Sequence, residues 1–332
     1  MTQLSAETVW QMSDNELVKL LDSTSLDSKP RRIHFYAPSF MYYKTSYYCS
    51  SPKEFPTVSV TGKGCALKCK HCGGIVLETM YPASTPEKLF ELCAKLKKEG
   101  ALGCLVSGGC LPDGSVPLEK FVDTIGKIKR ELGLTVFAHT GIIDFEAAKK
   151  LKDAGVDAAL IDIIGSDETI REVYNLNVGV KDYEDSLKAL HKASIAYTPH
   201  VIVGVHYGRL KGELNALKMI SRYKPSALVV IAFMPIHGTE METVDPPKPM
   251  DIAKVILTAR LMFPETPLVL GCMRPKGEHR VKTDVLAIKA GVDAIAFPAE
   301  EAIKYAESKG HKTAFSSLCC SQIYSDIKLN GF

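Results

Sequence analysis

A chain of 332 residues, 46% apolar and 24% charged, has the apolar content for a substantial core. Its 41 Lys+Arg and 38 Asp+Glu are interspersed and leave a formal net charge of +3, which argues against a nucleic-acid partner. No run of about 18 apolar residues occurs, and the opening Met-Thr-Gln-Leu-Ser-Ala-Glu lacks a basic n-region and an apolar h-region, so a cytoplasmic protein with no membrane partner is expected.

In chain order, residues 1–54 form an extension rich in aromatic residues, Phe35-Tyr-Ala-Pro-Ser-Phe-Met-Tyr-Tyr43 and Tyr47-Tyr48-Cys49. Residues 55–312 alternate short β-prone apolar runs with longer amphipathic stretches, the pattern of βα units around a parallel sheet. The predicted strands are Thr57–Thr61, Gly103–Ser107, Thr135–His139, Ala158–Asp162, Pro199–Val203, Ala227–Ala232, Leu268–Gly271 and Ala294–Phe297. Helices are predicted at Thr85–Glu99, Leu118–Leu132, Phe145–Ala154, Tyr183–Ala193, Leu214–Tyr223, Met250–Met262 and Thr283–Ala290. Gly100, Gly133, Gly155 and Gly291 stand at helix-to-strand joints, where a C-cap favours positive φ. Eight such repeats predict an α/β fold, a (β/α)8 TIM-type barrel. Residues 313–332 form a tail with an adjacent cysteine pair, Cys319-Cys320. Extension and tail are expected to pack on the barrel, because neither has the composition of disorder.

The chain holds ten cysteines, which in a chain of this size read as metal ligands rather than disulfides. Three of them fall within eight residues, Cys65-Ala-Leu-Lys-Cys69-Lys-His-Cys72. Four-iron clusters ordinarily take four thiolates, so three on one loop leave an iron open. Zinc is the competing occupant, but structural zinc wants four ligands, usually two matched pairs, and no second pair stands at that distance. The loop, the preceding Val58-Ser-Val-Thr-Gly62 and the aromatic His71 resemble the radical S-adenosylmethionine (SAM) enzymes. That resemblance implies a [4Fe-4S] cluster whose open iron holds SAM. Reductive cleavage of the sulfonium then yields a 5′-deoxyadenosyl radical that takes hydrogen from an unactivated carbon.

Sites on such barrels lie at the strand C-termini. By the same resemblance, His71 adjoins the cofactor and Ser107-Gly108-Gly109 binds the methionine amino group, with Cys110 standing where the family often has Glu. His139, Asp162 and Ser166 reach ribose and carboxylate, Arg171 is suited to grip the carboxylate bidentately, and Val203 to Gly208, with His206, supports the adenine. From the residues alone, Ser166-Asp-Glu168 reads equally as a helix N-cap, and His200 and His206 as core histidines or substrate ligands.

The other cysteines sort by position. Cys93 lies in an amphipathic helix and Cys104 early in a strand, where both read as packing residues. Cys49, Cys272, Cys319 and Cys320 are the expected ligands of an auxiliary [4Fe-4S] cluster, with Cys110 as substitute. From Tyr36 to Cys320 the chain resembles the archaeal two-protein lipoyl synthases, through Phe55-Pro-Thr-Val-Ser-Val-Thr-Gly62, Ser107-Gly-Gly-Cys110-Leu-Pro-Asp-Gly, His206-Tyr-Gly208, Leu270-Gly-Cys-Met-Arg-Pro275 and Cys319-Cys320. The resemblance implies sulfur insertion at C6 or C8 of an octanoyl chain on a lysine of a carrier domain or glycine-cleavage H-type protein. It also implies a companion radical SAM lipoyl synthase protein and a low-potential electron donor. Tyr42, Tyr43 and Tyr47 are candidates for the acyl channel. Three alternatives remain at this point: a biotin-synthase-like sulfurtransferase, with Arg274 an unusual cluster ligand; a methylornithine-type mutase without sulfur transfer; and a non-enzymatic cluster carrier.

Overall fold

The computed structural model describes residues 4–23, 30–50 and 53–329; the first three residues of the N-terminal segment and the last three of the tail lie outside this range. Eleven strands form a single sheet: β1 (Arg32–Tyr36), β2 (Thr57–Ser59), β3 (Tyr81–Pro82), β4 (Gly103–Ser107), β5 (Thr135–His139), β6 (Ala158–Asp162), β7 (Tyr197–Val203), β8 (Leu228–Ala232), β9 (Leu268–Leu270), β10 (Ala294–Ala296) and β11 (Lys312–Ser316). All eight predicted strands are present, and every pairing in the sheet is parallel. Their order follows the chain from β4 to β10, with the predicted helices between them, as right-handed βα crossovers require. The fold is a curled parallel α/β sheet of the TIM type.

Two departures from a closed eight-strand barrel matter. The sheet runs β11-β1-β10-β9-β8-β7-β6-β5-β4-β2-β3, so β11 and β3 are its ends and no pairing joins them among the described residues. The termini also do more than pack on the barrel. Arg32-Ile-His-Phe-Tyr36 is inserted as β1 between β10 and β11, with Tyr36 level with Ala296 on one side and Ser316 on the other.

Alternation along each strand sorts side chains into two layers. On β8, Leu228, Val230 and Ala232 join the core beneath the helices, while Val229 and Ile231 face the lumen with Tyr36, Val269, Ala294 and Ala296. A smaller lumen cluster of Phe55, Phe137, Ala158 and Leu160 lies across from it, Phe55 and Phe137 meeting edge to face at 5.6 Å between centroids. The tail fills the space between these clusters. Cys320 and Ile323 are buried in the first, Leu318 and Cys319 pack on the second, and Tyr324 touches both. Tyr324 Oη donates to the Asp157 carbonyl at the N-terminal end of β6 (2.8 Å), and Tyr36 Oη to Asp326 (2.6 Å). The tail is therefore a plug that floors the lumen.

Candidate active site in the barrel mouth

The three-cysteine loop leaves β2 and is fastened almost wholly by backbone. Ala66 N–H donates to the Cys110 carbonyl and Lys70 N–H to Val173, each at 2.8 Å; within the loop, Gly73 N–H donates to Cys69 at 2.7 Å. Asn175, in the left-handed conformation after the helix Asp167–Tyr174, gives its side-chain amide to the carbonyls of Leu67 (3.2 Å) and Lys68 (3.0 Å). Gly109 closes the back of the loop. A Cβ there would stand 2.0 Å from the Gly64 carbonyl and 2.6 Å from Cys65 Cβ, so only glycine permits this approach. The Gly109 N–H donates to Thr61 Oγ1 at 2.7 Å.

Cys65, Cys69 and Cys72 all line one cavity of about 300 Å³, together with Ser107, Gly108, Gly109, Cys110, His139, Asp162, Tyr174 and Tyr183. Donor atoms of Cys69, His71 and Cys72 lie within 4.8 Å of one another. A hydrogen bond with Cys69, helped by His71, drives the Cys72 pKa down to about 4, while the same bond and burial push that of Cys69 upward. Cys110 is pushed up to about 12, first by burial and then by Cys65. His71 Nδ1 and Tyr174 Oη are buried without partners beside this cavity, their rings 5.0 Å apart. Three thiols lining one cavity and unsatisfied buried polar atoms beside it fit an iron–sulfur cluster and a polar ligand.

The remaining expected cofactor residues divide. His139 and Asp162 line the cavity, paired to each other with Nε2 3.5 Å from Oδ1. Burial opposes charge on both, yet their mutual attraction prevails, raising the His139 pKa and lowering that of Asp162. Ser166 is an N-cap, its hydroxyl accepting from Thr169 N–H, and Arg171 is exposed in the last turn of the same helix; neither lines the cavity. Val203 is fully buried beneath the helices, so strand alternation hands the lining to Ile202, and Val205 joins it from the turn after the strand. His206 stands off the lining, 3.2 Å from Thr169 Oγ1 and 3.6 Å from Glu168. Glu213 braces this wall: buried, it accepts the Gly204 N–H at 2.8 Å through Oε1 and leaves Oε2 unpartnered.

Of the expected auxiliary ligands, three lie in the lumen, Cys272 and Cys320 in one packing cluster and Cys319 in the other, and they are not among the groups whose donor atoms converge within 4.8 Å. Cys272 and Cys320 share the Val229–Val269 cluster, and Cys319, next to Cys320 in the chain, packs against Phe55, Phe137, Ala158 and Leu160. The Cys319–Cys320 hydrogen bond lowers the Cys319 pKa and, with burial, raises that of Cys320. Cys49 is exposed on a turn bridging Lys44, and its nearest partner is its own neighbour's carbonyl. Cys110 is committed to the loop side, 2.8 Å from Ala66 through its carbonyl.

Arg274 cannot serve as a cluster ligand. Completely buried, it binds Asp284 bidentately (2.7 and 2.9 Å) and donates to the carbonyls of Gly271, Ala296 and Phe297. The guanidinium has no free donor edge left. Tyr42 is 76% exposed and Tyr43 bonds the Pro298 carbonyl, while Tyr47 packs on the outer core; the mouth is lined instead by Val76, Leu77, Met80, Ile142, Leu176, Met234 and Ile236. Sequence reasoning missed Asn175, Tyr174 and this apolar rim; an Asn directly after an amphipathic helix was the available signal for the first.

Residues 59–208, which contain the loop and its cavity walls, match the radical SAM superfamily model. These residues carry a radical SAM domain. Relatives of the chain include a biotin synthase from Leptospira biflexa, 30% identical over 217 residues, or 63% of this chain. That match spans 60% of the relative's own length. Among solved structures, the fold of this chain is shared with HydG, a maturase of the [FeFe]-hydrogenase (TM-score 0.66, 16% identity, 98% of this chain and 74% of that one). It is also shared with methylornithine synthase, PylB (TM-score 0.58, 18% identity, 93% and 97%). A radical SAM domain implies a [4Fe-4S] cluster and SAM. Among the described residues no helix is long and apolar enough to cross a membrane.

Proposed function

We propose that this protein is a sulfur-inserting radical SAM enzyme of the lipoyl synthase type, acting on an octanoyl chain carried on a lysine of a carrier domain. The observation that carries the reading is the pairing of an apolar mouth with three thiols, Cys272, Cys319 and Cys320, in the lumen beneath it. Cys65, Cys69 and Cys72 would hold the SAM cluster, and Cys272, Cys319 and Cys320 an auxiliary one. When bound, the first supplies a carbon-centred radical oxidant from SAM and the second supplies sulfur.

The chain's own residues do the rest. Gly108 and Gly109 keep the loop seated, and Ile202 and Val205 form an apolar wall against which a nucleoside can lie. Val76, Leu77, Met80, Leu176 and Ile236 exclude water from the entrance and suit a flexible aliphatic chain, which reaches the lumen only when fully desolvated. Holding the chain between the two thiol sets supplies the proximity that sulfur capture by a carbon radical demands. A companion radical SAM protein and a low-potential donor complete the proposal.

The biotin synthase relatives favour a second reading, sulfur insertion into a small free substrate. Anaerobic turnover with octanoyl-lysyl and mercapto-octanoyl-lysyl peptides, SAM and dithionite, read by mass, separates them. A product carrying added sulfur from either peptide is expected; sulfur added to neither, with SAM still cleaved, overturns the lipoyl assignment.

A further inference from the structure

Three side chains belong both to the cavity and to the cluster that holds two of the lumen cysteines. Ile202, Ile231 and Met273 line the cavity, and the same three pack with Val229 and Val269 into the cluster of Cys272 and Cys320. Cys272, Cys319 and Cys320 themselves do not line the cavity. The strands explain this placement. Ile202 on β7 and Ile231 on β8 are level neighbours, and Gly271 follows β9 one residue past the Val230–Leu270 pair. A Cβ at Gly271 would stand 2.5 Å from Ile231 Cγ2 and 2.6 Å from Val229 Cγ1, so Ile231 occupies the space that a side chain next to Cys272 would need. Met273 is tied to the same edge, its carbonyl accepting the Ala232 N–H at 2.8 Å.

We propose that Ile202, Ile231 and Met273 form a partition between the cavity and the thiols of Cys272 and Cys320, and that Ile231 determines which substrates cross it. The second half of the proposal rests on the reading of the substrate as an aliphatic chain. Two β-branched side chains from adjacent strands are stiff at χ1 and pack without voids, so together they leave a slot and not an open passage. Met273 beside them is unbranched and can shift as a chain slides past. A straight methylene chain is thin enough for such a slot, whereas a branched or ring-bearing end is not. A polar substrate is held back for a different reason, because among three apolar side chains its hydrogen bonds to water go unreplaced. The partition therefore selects by the width and polarity of the substrate's leading end and sets how far that end advances towards sulfur.

The test follows thiol access in the anaerobically purified, metal-free full-length chain, labelled with butyl methanethiosulfonate and read by peptide mass. Cys110, which lines the cavity, is the internal reference. In the wild type, Cys272 and Cys320 are expected to react about tenfold more slowly than Cys110, and Ile231→Ala to remove that difference. Val229→Ala, in the same cluster but off the cavity lining, is expected to leave it in place, and an unchanged Cys110 rate shows that each variant is folded. Cys272 and Cys320 as reactive as Cys110 in the wild type, no acceleration in Ile231→Ala, or equal acceleration in Val229→Ala each overturns the partition. Selection by width is read on the reconstituted holoenzyme with the octanoyl-lysyl peptide and its analogue branched at the chain end. Ile231→Ala is expected to narrow the wild-type preference for the straight chain about tenfold in kcat/KM. An unchanged preference overturns the selection. Wild-type enzyme inert on both peptides, with the labelling pattern as expected, overturns the acyl reading and the width selection with it, while the partition stands.

Discussion

The two thiol sets of this molecule are mounted in opposite ways. Cys65, Cys69 and Cys72 sit on one short loop, held by main-chain hydrogen bonds from Ala66, Lys70 and Gly73 and by the amide of Asn175. Cys272, Cys319 and Cys320 come from the end of β9 and from a tail nearly fifty residues further on, held by burial and by the Arg274–Asp284 pair behind them. A loop fastened by its own backbone tolerates change elsewhere; a floor assembled from distant segments depends on the packing of the whole fold.

Replacing Cys65, Cys69 and Cys72 together by alanine gives the largest effect expected. SAM cleavage falls to background and iron content drops by about four per chain, measured after anaerobic reconstitution. Floor and loop separate in the reverse experiment: Cys319→Ala with Cys320→Ala removes about four irons while SAM cleavage persists. Equal loss of cleavage in both experiments would show that the two sets are not independent.

Asp284→Ala strikes the floor through its scaffold. It leaves the wholly buried Arg274 without a counter-charge, a loss of roughly 3–5 kcal/mol seen as a lowered melting temperature. Behind Gly204, burial pushes the Glu213 pKa up from 4.5 to about 7, against the hydrogen bond from Gly204. The native state then holds a proton that the unfolded state has released, so stability falls as pH rises from 4.5 through about 7 and levels off above it. The full swing is roughly 3 kcal/mol, and Glu213→Gln flattens it in denaturation midpoints compared at pH 5 and pH 8. Asn175→Ala is the mildest, costing about 1–2 kcal/mol for two lost hydrogen bonds, and it lowers iron retention at the loop without touching the floor.

The same contrast explains what could be read from the sequence. The loop is local, so spacing alone brought its thiols together, and the eight strands announced themselves through apolar runs bounded by glycine. The floor is non-local. Nothing in the Cys49 neighbourhood distinguishes an exposed turn from a ligand, and nothing in Arg-Ile-His-Phe-Tyr36 says that it pairs with strands more than 250 residues away. Ser166 and Arg171 show a further limit. A residue type suited to a cofactor is equally suited to starting a helix or solvating its outer turn, and only the direction of the helix decides.

The placement of β1 sets an order on biogenesis. It is the earliest strand to be synthesised, yet both its neighbours, β10 and β11, are the last. While the ribosome is still making residues 294–316, Ile33 and Phe35 have no ladder to join, and the chamber has neither its final edge nor its stopper. The Cys65–Cys72 loop can settle on β2 and β4 early in synthesis, whereas Cys319 and Cys320 reach the lumen only after β10 and β11 have been made.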